Sequence, residues 1–135
     1  MRIKRHIRCR ELWKIGDGEV MSGQNASAAG RLPAAEAIPA AGLLSYQDGA
    51  VVSRTLVKHA AGSVTMFAFD EGQGLSEHTS PFDAFLFLLE GGAEITVSGK
   101  PISAKLGDLV LLPANEPHGL KATTRFKMML TMLRS

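Results

Sequence analysis

From about Leu43 onward, short apolar runs alternate with turn-forming residues. The breaks between the runs are rich in Gly, Pro, Asp and Asn. This pattern is typical of β-strands separated by turns, and no segment after residue 43 keeps the 3.6-residue period of an amphipathic helix. The predicted strands are 50–58, 63–70, 75–80, 83–90, 93–99, 102–105, 108–113, 118–123 and 125–133. Many short, regularly spaced strands predict an all-β fold, an antiparallel sandwich or barrel.

Alternation within these runs predicts which faces are buried. The even positions of residues 126–132 are all apolar and should lie in the core. In residues 83–90 both faces are apolar, so the face that carries Phe85, Phe87 and Leu89 needs a cover. A second copy of the chain is the simplest cover, and a homodimer with an isologous contact is predicted. The N-terminal segment is the alternative cover.

The first 42 residues differ in amino-acid composition from the rest. Residues 21–42 are rich in Ala, Gly, Ser and Pro, and we expect this segment to be mobile. Residues 1–20 are basic and could be a nucleic-acid tail, a targeting peptide low in Ser, or an artefact upstream of a true start at Met21; the artefact is favoured. The predicted organisation is an N-terminal arm, 1–42, followed by the barrel, 43–135.

Charge and composition narrow the class of protein. The 135 residues are 45% apolar and 21% charged, which fits one soluble globular domain. The net charge of +2 depends on residues 1–14, which hold six basic side chains and one acid; the remainder has nine basic and twelve acidic groups. A mildly acidic body argues against a nucleic-acid partner. Arg125 and Lys127, at the start of the last strand, are expected on the surface.

Composition also indicates the cellular compartment and whether the chain has a membrane span. No apolar run approaches the roughly 18 residues of a membrane span, so no membrane partner is expected. Cys9 is the one cysteine, so no intrachain disulfide can form. This suits a reducing compartment, and a cytoplasmic location is predicted.

Two spaced motifs resemble those of the cupins, a family of small jelly-roll barrels. Gly72, His78 and Gly91 match the first cupin motif, G-x5-H-x-H-x3-E-x6-G, with Ser80 and Ala84 at the positions of its second His and its Glu. The second motif is G-x5-P-x-G-x2-H-x3-N. Three residues of the chain match it, while Asn115 and Ala122 replace its inner Gly and its terminal Asn. The three matching residues are Gly107, Pro113 and His118.

The resemblance covers about residues 50–133 and implies a jelly-roll barrel with a metal site on its inner face. In the family, the two His and the Glu of the first motif and the His of the second hold one divalent metal. Only His78 and His118 remain here. The resemblance therefore implies a labile two-His site for a divalent ion such as Zn, Ni, Fe, Mn or Cu.

The residues themselves leave the role of this pair open. Asp83, Glu77 and Gln73 are the candidates for a third ligand, and none is convincing. Asp83 and Glu77 have odd parity and face away from His78, although a bulge at Ser80-Pro81 could reverse this for Asp83, and Gln73 could reach from its loop. The pair could hold a metal weakly. Alternatively, the two imidazoles could bond each other, a water or a bound ligand.

Two functions are compatible with these features. The interior is predicted to be apolar, lined by residues such as Leu86, Leu88 and Ile95, which suits a small apolar or aromatic molecule. The first hypothesis is a metal-dependent enzyme acting on such a molecule. The second is a non-catalytic module that binds or senses a small ligand.

Overall fold

The computed structural model describes residues 32–134 and confirms the all-β prediction. Apart from one short 3-10 helix, Ala40–Leu43, the regular structure of these residues consists of nine strands. The strands are β1 Val51–His59, β2 Gly62–Phe69, β3 Gly74–His78, β4 Asp83–Glu90, β5 Gly92–Val97, β6 Lys100–Lys105, β7 Leu109–Leu112, β8 His118–Ala122 and β9 Phe126–Leu133. None of the described residues belongs to a helix long and apolar enough to cross a membrane.

The strands form two antiparallel sheets that face each other. The five-stranded sheet has the order β1-β2-β9-β4-β7, and the four-stranded sheet has the order β3-β8-β5-β6. The core between them is filled by side chains from both sheets, including Phe67, Leu86 and Ile95. The predicted core face of β9 is confirmed, since the even positions of residues 126–132 are at most 4% exposed.

The outer face of the five-stranded sheet is covered in part by residues that precede β1. Leu44 is buried there against Met66 and Ala68, and Leu89 and Tyr46 pack beside them. Residues just before β1, between Ala40 and Tyr46, therefore pack beside Leu89. Farther along the sheet, Phe85 and its cross-strand neighbour Leu111 remain exposed, with Leu109 next to Phe87. This exposed apolar patch is where the predicted homodimer contact would lie, and the homodimer stays a prediction.

The prediction that Lys127 lies on the surface is wrong. It is only 8% exposed, and its Nζ donates a hydrogen bond of 2.6 Å to the carbonyl of Ala41. The ammonium also lies 4.9 Å from the centre of the Tyr46 ring, a cation–π contact. The hydroxyl of Tyr46 in turn donates to Glu90 at 2.6 Å. These contacts hold residues 40–46 against the sheet.

The predicted boundary between arm and barrel, at residue 43, falls at the end of the 3-10 helix. That helix spans Ala40–Leu43, so the ordered packing begins a few residues before the boundary. Most of the predicted arm lies outside the described residues, and its mobility stays a prediction. The same holds for the proposed start at Met21.

Candidate functional site: a histidine pair

The two histidines of the motifs lie side by side inside the barrel. His78 ends β3 and His118 begins β8, and the two are direct partners in the strand pairing. Their ring centroids are 4.5 Å apart, with an interplanar angle of 77°. The pair was predicted from motif spacing, and the structure brings the two imidazoles together.

A bulge in β3 turns His78 toward the interior. Leu75 pairs with Leu120 and His78 pairs with His118, so two residues of β3 stand opposite Gly119 alone. The extra residue lets Leu75 and His78 both face the core, although strict alternation would place them on opposite faces. Gly119 permits this close approach, since a Cβ there would lie 3.1 Å from the carbonyl oxygen of Leu75.

The loop that presents His118 is fastened to the loop before β4. Asn115 has a φ of 66°, the left-handed region that its motif position normally fills with Gly. Its backbone N–H donates to the carbonyl of Ser80 at 2.7 Å. The neighbouring N–H of Ala114 donates to the carboxylate of Asp83 at 2.9 Å. The two motifs are thus joined beside the histidine pair.

Hydrogen bonds to backbone carbonyls fix the tautomer of both rings. The Nδ1 of His78 bonds the carbonyl of Ser76, and the Nδ1 of His118 bonds the carbonyl of Glu116 at 3.0 Å. A carbonyl can only accept, so each Nδ1 carries the proton and each Nε2 of a neutral ring carries a lone pair. Both Nε2 atoms are buried and have no hydrogen-bond partner within residues 32–134. Metal-binding histidines show this same arrangement.

Burial keeps both rings neutral. Desolvation lowers the pKa of His78 below its ordinary value, partly opposed by the hydrogen bond to Ser76. Desolvation also lowers the pKa of His118, and the neighbouring His78 lowers it further. Both imidazoles are therefore unprotonated at neutral pH, the form in which they can bind a metal ion.

The cavity beside the pair is small and apolar. Besides the two histidines, its lining includes Leu86, Met128 and Leu130. Its volume is about 10 Å³, which is room for about one water molecule. The interior is apolar as predicted. An organic ligand could enter only if side chains moved, since ligand pockets usually measure about 300–1,000 Å³.

None of the considered third ligands joins the pair. The carboxylate of Asp83 accepts a hydrogen bond from the backbone N–H of Ala114, and Glu77 lies exposed in the bulge. Gln73 is buried at the opposite end of β3, where its carbonyl accepts from Ala122. Within residues 32–134, no three His, Cys, Asp or Glu side chains form a group that could hold a metal.

The two substituted motif positions also contribute no ligand. The Ser80 hydroxyl accepts a hydrogen bond from the backbone N–H of Phe82 at 3.2 Å, which ties it to its own turn. Ala84 is buried in the core and has no donor atom. The even-position pattern of residues 126–132 assigned Met128 to the core, where it lies, but did not indicate that its side chain also borders the cavity beside the histidine pair.

The chain belongs to the cupin family. The family model described as the cupin domain matches residues 65–133, which include both histidines, most of β2 and all of β3 to β9. This range contains the two motifs on which the resemblance was recognised. The chain is a small cupin with one barrel in its described part, and its first motif has lost two of three ligand residues.

Solved structures agree with this assignment. A conserved Streptococcus pyogenes protein of unknown function is 30% identical, with a TM-score of 0.75, and the match covers 78% of this chain and 93% of that one. A cupin superfamily protein from Desulfitobacterium hafniense is 27% identical, with a TM-score of 0.74, covering 78% and 97%. A cupin 2 conserved barrel domain protein from Leptotrichia buccalis is 37% identical over 70% of this chain and 46% of that one, with a TM-score of 0.67. None of the curated proteins matches the sequence.

Proposed function

We propose that this cupin binds one metal ion weakly through the Nε2 atoms of His78 and His118. The observation that carries the proposal is that both Nε2 atoms are buried and have no hydrogen-bond partner among residues 32–134, and that both histidines line one small cavity. A buried nitrogen lone pair without a partner is costly, and an ion or a water between the rings would satisfy both.

The site should be labile because it supplies only two protein ligands. Catalytic metal sites usually have at least three, and the family set has four. The candidates from the sequence are Zn, Ni, Fe, Mn and Cu. A bound ion would supply Lewis-acid chemistry. The chain's own part is to hold the two neutral rings through their Nδ1–H bonds and to limit the water around them.

A non-catalytic binding or sensing module is the second candidate. The loss of two motif ligand positions, at Ser80 and Ala84, favours it. The small cavity does not separate the two candidates, since a substrate and a bound ligand both need room beside the histidine pair. The enzyme hypothesis requires that side chains such as Leu86 or Met128 move on binding. A small apolar or aromatic ligand, the cytoplasmic location and the lack of a nucleic-acid or membrane partner stay predictions.

Metal titration of the full chain tests the proposal. After dialysis against a chelator, calorimetric titration with divalent ions and, anaerobically, with Cu(I) should show one site for at least one of these ions, and that site should be lost in His78→Ala and in His118→Ala. His59→Ala is the matched control, because His59 is exposed at the end of β1. If the wild type binds no divalent ion and no monovalent copper, or if the three variants bind equally, the metal proposal is wrong.

A further inference from the structure

Three donor side chains border the cavity. The imidazoles of His78 and His118 enter from the four-stranded sheet, and the side chain of Met128 enters from β9 of the opposite sheet. Met128 is fully buried. Among residues 32–134, the remaining lining is Gly119 and aliphatic side chains, so this part of the chain places no carboxylate and no thiol in the cavity wall.

This donor set is electrically neutral, which disfavours a dication. The Born cost of burying an ion rises with the square of its charge, and an apolar wall without an anionic ligand offsets little of it. Divalent zinc, nickel, iron and manganese also need four or more ligands. The cavity has room for about one water, so water cannot complete such a coordination shell unless side chains move.

Monovalent copper has the opposite requirements. It carries a single charge and accepts two or three ligands, and a thioether is among the soft donors that select it. Imidazole is also a good copper ligand. Copper is thus the metal whose preferences include both donor types present here.

We propose that the site is built for Cu(I), held by the Nε2 of His78, the Nε2 of His118 and the sulfur of Met128. This inference rests on the proposed function, since it uses the same histidine pair as the metal site. It adds the oxidation state and a third ligand that lies outside both cupin motifs.

Competition for Cu(I) tests the proposal. The full chain carrying Cys9→Ser, which removes the one thiol, is titrated with Cu(I) anaerobically against the chromophoric chelator bicinchoninate. Met128→Leu should weaken Cu(I) binding by about tenfold or more, since the loss of even an outer-shell partner of a metal has an effect of this size. Any binding of Zn²⁺ should stay unchanged. The swap conserves volume, so the fold should be retained. Met66→Leu is the matched control, since Met66 is equally buried but packs in the outer cluster with Leu44.

X-ray absorption of the Cu(I)-loaded protein provides a second readout. A sulfur scatterer should be present in the Cys9→Ser protein and in the Met66→Leu control, and absent in Met128→Leu. Binding of Zn²⁺ but not Cu(I) would overturn the copper proposal and leave the two-His site in place. Equal Cu(I) affinity in all three proteins would overturn the role of Met128, and binding of neither ion would overturn the proposed function itself.

Discussion

Replacing Gly119 by alanine should destabilise the barrel and loosen the histidine pair. A Cβ at this position would lie 3.1 Å from the carbonyl oxygen of Leu75, and 3.2 Å and 3.3 Å from the backbone N and Cα of Glu77. All three atoms belong to the bulge of β3, so the backbone must shift by a few tenths of an ångström to admit the methyl group. The carbonyl of Ser76, which fixes the tautomer of His78, lies in this same bulge.

The size of the effect follows from these contacts. Overpacking costs about 1–3 kcal/mol, and the reduced freedom of the unfolded chain offsets about 0.4–1 kcal/mol of that cost. We expect Gly119→Ala to lower the free energy of unfolding by about 1–2 kcal/mol. For a domain of this size, the melting temperature should fall by about 5–10 °C.

Chemical denaturation and metal titration measure the two consequences. Gly92→Ala is the matched control, because Gly92 also lies in a strand but its added Cβ would come no closer than 3.4 Å to any atom. The control should change stability by less than about 0.5 kcal/mol. If Gly119→Ala is as stable as the control and binds metal as the wild type does, the bulge does not position His78 and the reasoning fails.

Three further changes have defined outcomes. Phe87→Glu should convert the predicted homodimer into monomer or aggregate in sedimentation, and a wild-type chain that is monomeric at micromolar concentration would contradict the dimer. Lys127→Met should lower the free energy of unfolding by about 1–3 kcal/mol, because the charge-assisted hydrogen bond to Ala41 is lost. Proteolysis near residue 40 should also become faster. Unchanged proteolysis would show that this contact does not hold residues 40–46 against the sheet. Folding lowers the pKa of both His78 and His118, so the unfolded state binds more protons below about pH 6.5. The contribution of the two rings to the free energy of unfolding is therefore complete above that pH and is lost as the pH falls. The affinity for a metal ion should also fall below about pH 6, because a protonated imidazole cannot bind a metal. An affinity that does not depend on pH would exclude imidazole ligands.

Much of the fold could be predicted because its signals are local. Turn residues marked the strand ends, and alternation identified the buried face of residues 126–132. The histidine pair followed from motif spacing, because the resemblance implied two adjacent positions on the barrel's inner face.

The parts that could not be predicted depend on contacts between distant segments. The bulge at Ser76 and Glu77 has no Gly or Pro of its own, and the residue that permits it, Gly119, lies on another strand. Lys127 is buried because residues 40–46 cross its strand, which alternation within 126–132 cannot show. The cavity volume depends on how side chains from both sheets meet, so the sequence indicated an apolar interior without indicating that it is nearly filled.

The most direct test of the metal site is nitrogen NMR of the histidine rings during metal titration. Long-range proton–nitrogen spectra of the full chain report which ring nitrogen carries the proton. Before metal is added, His78 and His118 should both be protonated at Nδ1, as their carbonyl hydrogen bonds require. One equivalent of ion should then shift both Nε2 resonances together and leave His59 unchanged. Protonation at Nε2 in either ring, or an ion that shifts His59 and not the pair, would contradict the account.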